Sequence, residues 1–364
     1  MDQTPLELDA SQQALAVDRD GFDIGWDHAH HGLVPPAELL LSGTPVCQGW
    51  MAGKAVYGRR TLSASRHTRM WLQLRINAWR LGIAFEHQQL KPNYLAQIEA
   101  TRCPVTRQLL QGARGQSDTR VVARLNAKAG YAAGNLAVMS LAASQACDGL
   151  SVQDCVRLAH RAASTTTATA PSGISLSAAA WWRLAVLGSF ATPLPFAFAA
   201  GLPLAVLPPN RVRLLNAVQG LQALLTRSFA APRWSERCRH FAHWLPEHTL
   251  RQDFNLFVGA MAPRVLEAGN DPSALRQALE DAWLSDRVLR RWQHFVLQLG
   301  ESATEALLLR ATEAGLAGVR TVHHGIEQAT DGWGLLPAKV VSDMPSHAAR
   351  VGPQRYASAQ AVLC

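Results

Sequence analysis

A chain of 364 residues is long enough for two or three domains, each with its own core. Its 48% apolar and 17% charged residues exclude wholesale disorder. Six scattered cysteines (Cys47, Cys103, Cys147, Cys155, Cys238, Cys364), with no CxxC, exclude a disulfide framework and fit a reducing compartment. The formal net charge of +8 is steeply segregated. Up to Glu38 eight acids face one base, Arg19, giving −7; from Leu39 to Cys147 fourteen Lys and Arg face Glu86, Glu99 and Asp118, giving +11. Such a field over one region argues for a polyanionic partner.

The start, Met1-Asp2-Gln3-Thr4-Pro5-Leu6, lacks the basic-then-apolar pattern of a secretory leader, so the expected location is cytoplasmic. Residues 1–38 read as an acidic arm, of low order over 1–20. It is read as a solvated tail in preference to a flap over the basic surface. His28, His30 and His31 lie close together, but without metal-ligand spacing they read as surface or capping histidines.

Gly49 to Lys54 and Gly58-Arg59-Arg60 read as a glycine-punctuated basic loop that lacks the GxxxxGK[ST] pattern of a phosphate loop. A long helix is predicted from about Ser63 to Leu81, with Trp71, Leu74, Ala78 and Leu81 as its inward stripe. Another face carries Arg66, Arg69, Gln73, Asn77 and Arg80 in the same rhythm. Arg suits phosphates and guanine edges, and Gln and Asn suit adenine edges. No acid lies between Glu38 and Glu86, so this helix is the candidate to face nucleic acid.

Cys103-Pro104-Val105-Thr106-Arg107 precedes Arg120 to Asn126, where Val121, Ala123 and Leu125 alternate as in a short strand. Asn126 to Gly134 reads as a loop, Leu136 to Met139 as a second strand, and the Ala-rich run from Leu141 as the start of a helix. Ser151-Val152-Gln153-Asp154 reads as a capping box opening a helix to about Ala163.

Ser164 to Gly173 is a compositional break, taken as the core of a linker at 164–177. Residues 184–208 are uncharged and bilayer-long, but prolines and glycines cut them up, so they are expected as buried core. Amphipathic helices follow. Asp271-Pro272 is a predicted N-cap, and Leu289, Trp292, Phe295, Val296 and Leu299 form a buried face. Trp234, Trp244, Trp283 and Trp292 read as core.

The strand–loop–strand–helix stretch from Cys103 to Cys147, with CPxT, an arginine at the DR position and Gly130-Tyr131 followed by Asn135, resembles the HNH endonuclease family. The resemblance implies a ββα unit against DNA, with one divalent metal and a histidine that activates water. It implies that Asn135 braces the loop. It also gives Ala123 the place of a metal-binding aspartate and Arg124 a place where active members often carry the histidine. Alanine cannot ligate a metal, and arginine cannot act as a base. Cys103 matches the family's first cysteine, with Cys147, Cys155 and His160 as remote partners for a zinc site.

The expected fold is mainly α with a small ββα unit: an α+β N-terminal module followed by an all-α C-terminal domain. Its parts are the acidic arm (1–38), a basic module (39–163) containing the HNH-like unit (103–147), the linker (164–177), a helical domain (178–340) and a tail (341–364). The expected function is DNA binding by a nuclease-like unit that has lost its metal site. One alternative is an active endonuclease with displaced ligands, in which Asp118, His67 or His87 reaches the metal. Another is a helical assembly protein that docks on nucleic acid. Catalytic candidates are Asn135, Arg124 and Asp118. Nucleic-acid contacts are expected at Lys54, Arg59, Arg60, Arg66, Arg69, Gln73, Asn77, Arg80, Arg107, Arg120, Arg124 and Lys128. No cofactor is expected, with Mg2+ or Mn2+ needed only for catalysis. The expected partner is nucleic acid, DNA ahead of RNA, with a protein partner open to the helical half and no membrane.

Overall fold

Helix starts follow the local chemistry of the chain. The side chains of Thr44, Ser65, Ser140, Ser151, Ser177 and Asp271 each accept a hydrogen bond from a first-turn backbone N–H, satisfying donors that the helix cannot pair itself. Pro45 and Pro272 occupy first-turn positions, where no N–H is needed. The capping box at Ser151–Asp154 is present in both directions.

The computed structural model describes residues 18–111, 115–269, 271–318 and 322–335. These are mainly helical, with two two-stranded antiparallel sheets. The chain forms two compact units. Among the described residues, one comprises 18–99, 129–133 and 332–335; the other comprises 100–128 and 134–331. The basic stretch 39–163 is therefore shared between them, and the expected tail at 341–364 lies outside the described residues.

In the first unit, residues 18–30 are helical (α1) and are followed by α2 (Pro45–Tyr57), α3 (Arg66–Leu81) and the short α4 (Pro92–Gln97). The expected loop at Gly49–Lys54 is instead part of α2. Its glycines serve packing: a Cβ on Gly49 would lie 1.9 Å from Phe22 O, and one on Gly25 2.0 Å from Val46 O. Only glycine lets the two backbones approach so closely. Ile24, Leu39, Val46 and Ile76 are buried together, with Trp79 against them. The expected solvated arm is therefore, over 18–38, part of a packed core. Trp71, Leu74 and Ala78 are buried as predicted, whereas Leu81 is exposed where Gly82 ends α3 in the left-handed conformation. Residues 129–133 lie along 84–86, with Tyr131 N–H to Ala84 O at 2.8 Å and Glu86 N–H to Tyr131 O at 2.9 Å.

The second unit opens with β1 (Arg120–Arg124) and β2 (Leu136–Ser140), paired antiparallel from Arg120↔Ser140 to Arg124↔Leu136, followed by α5 (Leu141–Cys147) and α6 (Val152–Thr165). The expected linker is instead a hairpin of β3 (Thr167–Thr169) and β4 (Ser175–Ser177), with Ala168, Ala170 and Leu176 buried. Period-two burial of a few small residues holds this polar stretch in place.

From there on the described chain is helical, apart from an isolated Leu214–His323 bridge: α7 (Ala178–Phe190), α8 (Phe196–Ala200), α9 (Ala217–Ala230), α10 (Trp234–His243), α11 (His248–Glu267), α12 (Pro272–Ala282), α13 (Asp286–Leu299), α14 (Glu301–Glu313) and α15 (Ile326–Ala329). Helix α6 packs on α7, α11 on α13, and α9 on α14. The core is aromatic: Phe254, Phe257, Trp283, Trp292 and Phe295 are fully buried, with ring centroids 5.3–6.3 Å apart. Each such ring contributes about 2–3 kcal/mol by leaving water. Trp234 and Trp244 are only half-buried. Leu184, Val186, Phe190, Leu202, Leu204 and Val206 are buried within the unit, and no helix among the described residues is long and apolar enough to cross a membrane.

Candidate nucleic-acid interface

The connection between α2 and α3 carries a concentration of uncommitted positive charge. Gly58 closes α2, its N–H reaching Lys54 O at 3.0 Å, and Arg59 and Arg60 follow. Leu62 N–H bonds His30 O at 2.8 Å, and the His30 ring stacks on Tyr57 at 4.3 Å, so this loop is pinned to α1. Ser65 then starts α3, with Arg66 and Arg69 in its first turns. Lys54, Arg59, Arg60 and Arg69 are exposed and have no carboxylate partner among the described residues. Lys54 rests over Trp50, with Nζ 4.4 Å from the ring centroid. Arg66, though exposed, pairs with Glu99 at 2.7 Å, and His67 shares that carboxylate at 3.1 Å.

The rest of the predicted α3 stripe has partners within the chain. Gln73 donates to Asn77 Oδ1 at 3.1 Å, and Asn77 is buried. Arg80 pairs with Glu38 at 2.6 Å. Buried Arg75 pairs with Asp27 and lies over Trp71. Acids of the N-terminal segment thus neutralise bases of α3, and His87 meets Asp20 at 3.5 Å. A helix covered on several sides has no continuous polar face to offer.

Arg107 is also committed elsewhere. Its guanidinium forks onto Asp281 at 2.7 and 2.8 Å and reaches Glu280 at 3.3 Å. Buried Arg183 joins Val105 O and Asp281 at 3.0 Å, and Arg276 holds Glu280 at 3.0 Å. This network locks the 103–107 turn to α7 and α12, and nothing in the local sequence announced it.

At the hairpin, Asn135 is fully buried and braces the loop. Its Oδ1 accepts from Asn126 N–H at 2.8 Å, and its Nδ2 donates to Asn126 O at 3.1 Å. Arg124 donates to Ala127 O at 2.8 Å, and Lys128 is exposed nearby. Arg120, half-buried, reaches Leu110 O at 3.4 Å. Asp118 precedes β1 at the other end of the hairpin, about 15 Å or more away by strand length. Arg124 and Asn135 are therefore brought together, and Asp118 is not. An amide and a guanidinium cannot take a proton from water at neutral pH, so this pair alone has no general base.

The residues present do not fit a metal. Ala123 places a buried methyl opposite Ala137 where the resemblance expects a carboxylate. Among the described residues no group of three or more His, Cys, Asp or Glu is placed to hold an ion. Cys103 Sγ accepts from Ser140 N–H at 3.3 Å. Desolvation pushes the Cys147 and Cys155 thiols up to about 12, which disfavours thiolates. His160 packs edge-on against Trp182. His28 is buried, its Nδ1 bonded to Ile24 O at 2.7 Å.

The chain matches no protein-family model, no curated protein and no solved structure. Its function must therefore be argued from its own residues.

Arg213, two residues after Arg211, is brought to the hairpin by the fold, its N–H bonding Gly134 O at 3.1 Å. The signal was there to find, since no Asp or Glu occurs between Asp154 and Glu236.

Proposed function

We propose that this protein holds DNA by its phosphate backbone and does not cut it. The observation that carries the reading is the cluster of Lys54, Arg59, Arg60 and Arg69 at the α2–α3 connection, exposed and without a carboxylate partner among the described residues. Charges already neutralised inside a protein gain little from phosphates, whereas free ones release condensed counterions on binding. The hairpin followed by α5, and the bracing role of Asn135, are in keeping with an HNH-like scaffold. Ala123 and Arg124, together with the distance of Asp118, favour holding over hydrolysis.

The test is anisotropy titration of a labelled DNA duplex over a salt series. Wild-type affinity should fall steeply with salt, and Arg59→Gln/Arg60→Gln/Arg69→Gln should flatten the log–log slope by about three. Plasmid incubated with Mg2+ or Mn2+ should stay supercoiled. Absence of retention at low salt removes the DNA reading. Nicking that Asn135→Ala abolishes would replace it with an active nuclease.

A further inference from the structure

Among the described residues three arginines have left-handed backbones: Arg107 (φ 61°), Arg211 (φ 65°) and Arg233 (φ 56°). An L side chain crowds its own carbonyl there, and glycine does not. For two of them the fold supplies a partner. Arg107 forks onto Asp281, and Arg233 reaches Glu236 at 3.5 Å. Arg211 is exposed and has no hydrogen bond or ion pair among the described residues.

The turn that carries Arg211 is rigidly placed. Val212 N–H bonds Pro209 O at 3.3 Å, and Arg213 N–H bonds Gly134 O at 3.1 Å. Gly134 has φ 94°, and a Cβ there would lie 2.5 Å from Arg213 Cγ, so the arginine stem fits only against glycine. The adjacent Asn135 fixes Asn126, whose Oδ1 accepts from Lys128 N–H at 3.0 Å. Lys128 and Arg211 thus lie on two loops pinned to the same end of the hairpin. No acid lies between Asp118 and Asp148 or between Asp154 and Glu236 to offset them locally in sequence.

We propose that this hairpin end is a second phosphate-contacting surface, with Lys128 and Arg211 as its contacts to the DNA backbone. The proposal rests on the DNA-binding reading and adds residues that the α2–α3 connection does not contain. Arg supplies a fork for phosphate oxygens and Lys a mobile point charge, neither of which selects a base.

The experiment uses the full chain and the same labelled duplex, over the same salt series. Arg211→Gly removes the guanidinium and relieves the backbone, so its denaturation midpoint should equal or exceed that of wild type. Its log–log slope should be shallower by about one, and that of Arg211→Gly/Lys128→Gln by about two. Arg233→Gly, which makes the same backbone change and loses the same charge, should keep the wild-type slope. If wild type binds with a steep slope and the double variant keeps it, this surface is not used, while the DNA reading stands. If Arg233→Gly flattens the slope as much as Arg211→Gly, net charge explains the effect and the local site is overturned. If wild type fails to bind at low salt, both readings fall together.

Discussion

Arg107 and Arg59 belong to the same acid-poor run of sequence, yet the fold gives them opposite employment. At the 103–107 turn Arg107 meets Asp281 and Glu280, more than 170 residues further along the chain, and becomes a strut. At the α2–α3 connection Arg59, Arg60 and Arg69 meet no acid among the described residues and remain available. A charge count along the chain sees a field; only tertiary pairing decides which part of it reaches a ligand.

The contrast can be broken experimentally, starting with the strut. Glu280 is buried and holds Arg107, Arg276 and the Leu207 N–H at 3.0–3.3 Å. Glu280→Ala should therefore cost about 1–2 kcal/mol in a denaturant titration, because the buried Leu207 N–H and the half-buried Arg107 lose an acceptor. Its salt slope for DNA should match wild type wherever it is folded. A changed slope would mean that the struts also touch DNA.

Asn135→Ala strands the Asn126 N–H and C=O, and about 2 kcal/mol of stability should be lost. A stability loss well below that would mean that the loop is held by other means.

Acid should weaken the first unit through His28. Burial lowers its pKa, so above the ordinary histidine value of about 6.5 both folded and unfolded states carry it neutral. Below that value the unfolded chain takes up the proton first, and stability falls as the pH drops toward the folded value. His28→Gln, which keeps a donor for Ile24 O, should reduce the acid-side fall in Tm. An unchanged pH profile would assign the acid sensitivity to another group.

The smallest stability effect belongs to the free bases. Arg59→Gln/Arg60→Gln/Arg69→Gln should alter stability by no more than about 0.5 kcal/mol while flattening the salt slope. Loss of folding in this variant would show that these residues are struts after all.

Much of the local architecture was legible in the sequence. Ser151 and Asp271 mark helix starts through side-chain chemistry that acts within one turn. The 121–125 alternation marks β1 in the same local way. The Ser/Thr-rich hairpin at 167–177 was missed because its stability comes from burying Ala168, Ala170 and Leu176, which composition reads as a linker. Gly49 and Gly53 read as loop residues because helix-to-helix approach leaves no local trace. The pairing of the α3 bases left no local trace for the same reason: Glu38, Asp27 and Glu99 reach them from other parts of the chain. The place of Arg211 near the hairpin left no local trace, because it is set by the bond from Arg213 N–H to Gly134 O.

Residues 129–133 belong to the first unit although both their flanks belong to the second, and Gly130 N–H bonds Trp333 O at 2.6 Å. Trp333 is fully buried, so its burial is part of completing that unit. During synthesis the N-terminal unit is therefore incomplete until Trp333 has emerged. Contacts closed over more than 200 residues make the last step of folding slow and leave apolar surface exposed meanwhile. A truncation before Trp333 should consequently leave the N-terminal unit, far away in sequence, as the part most prone to aggregate.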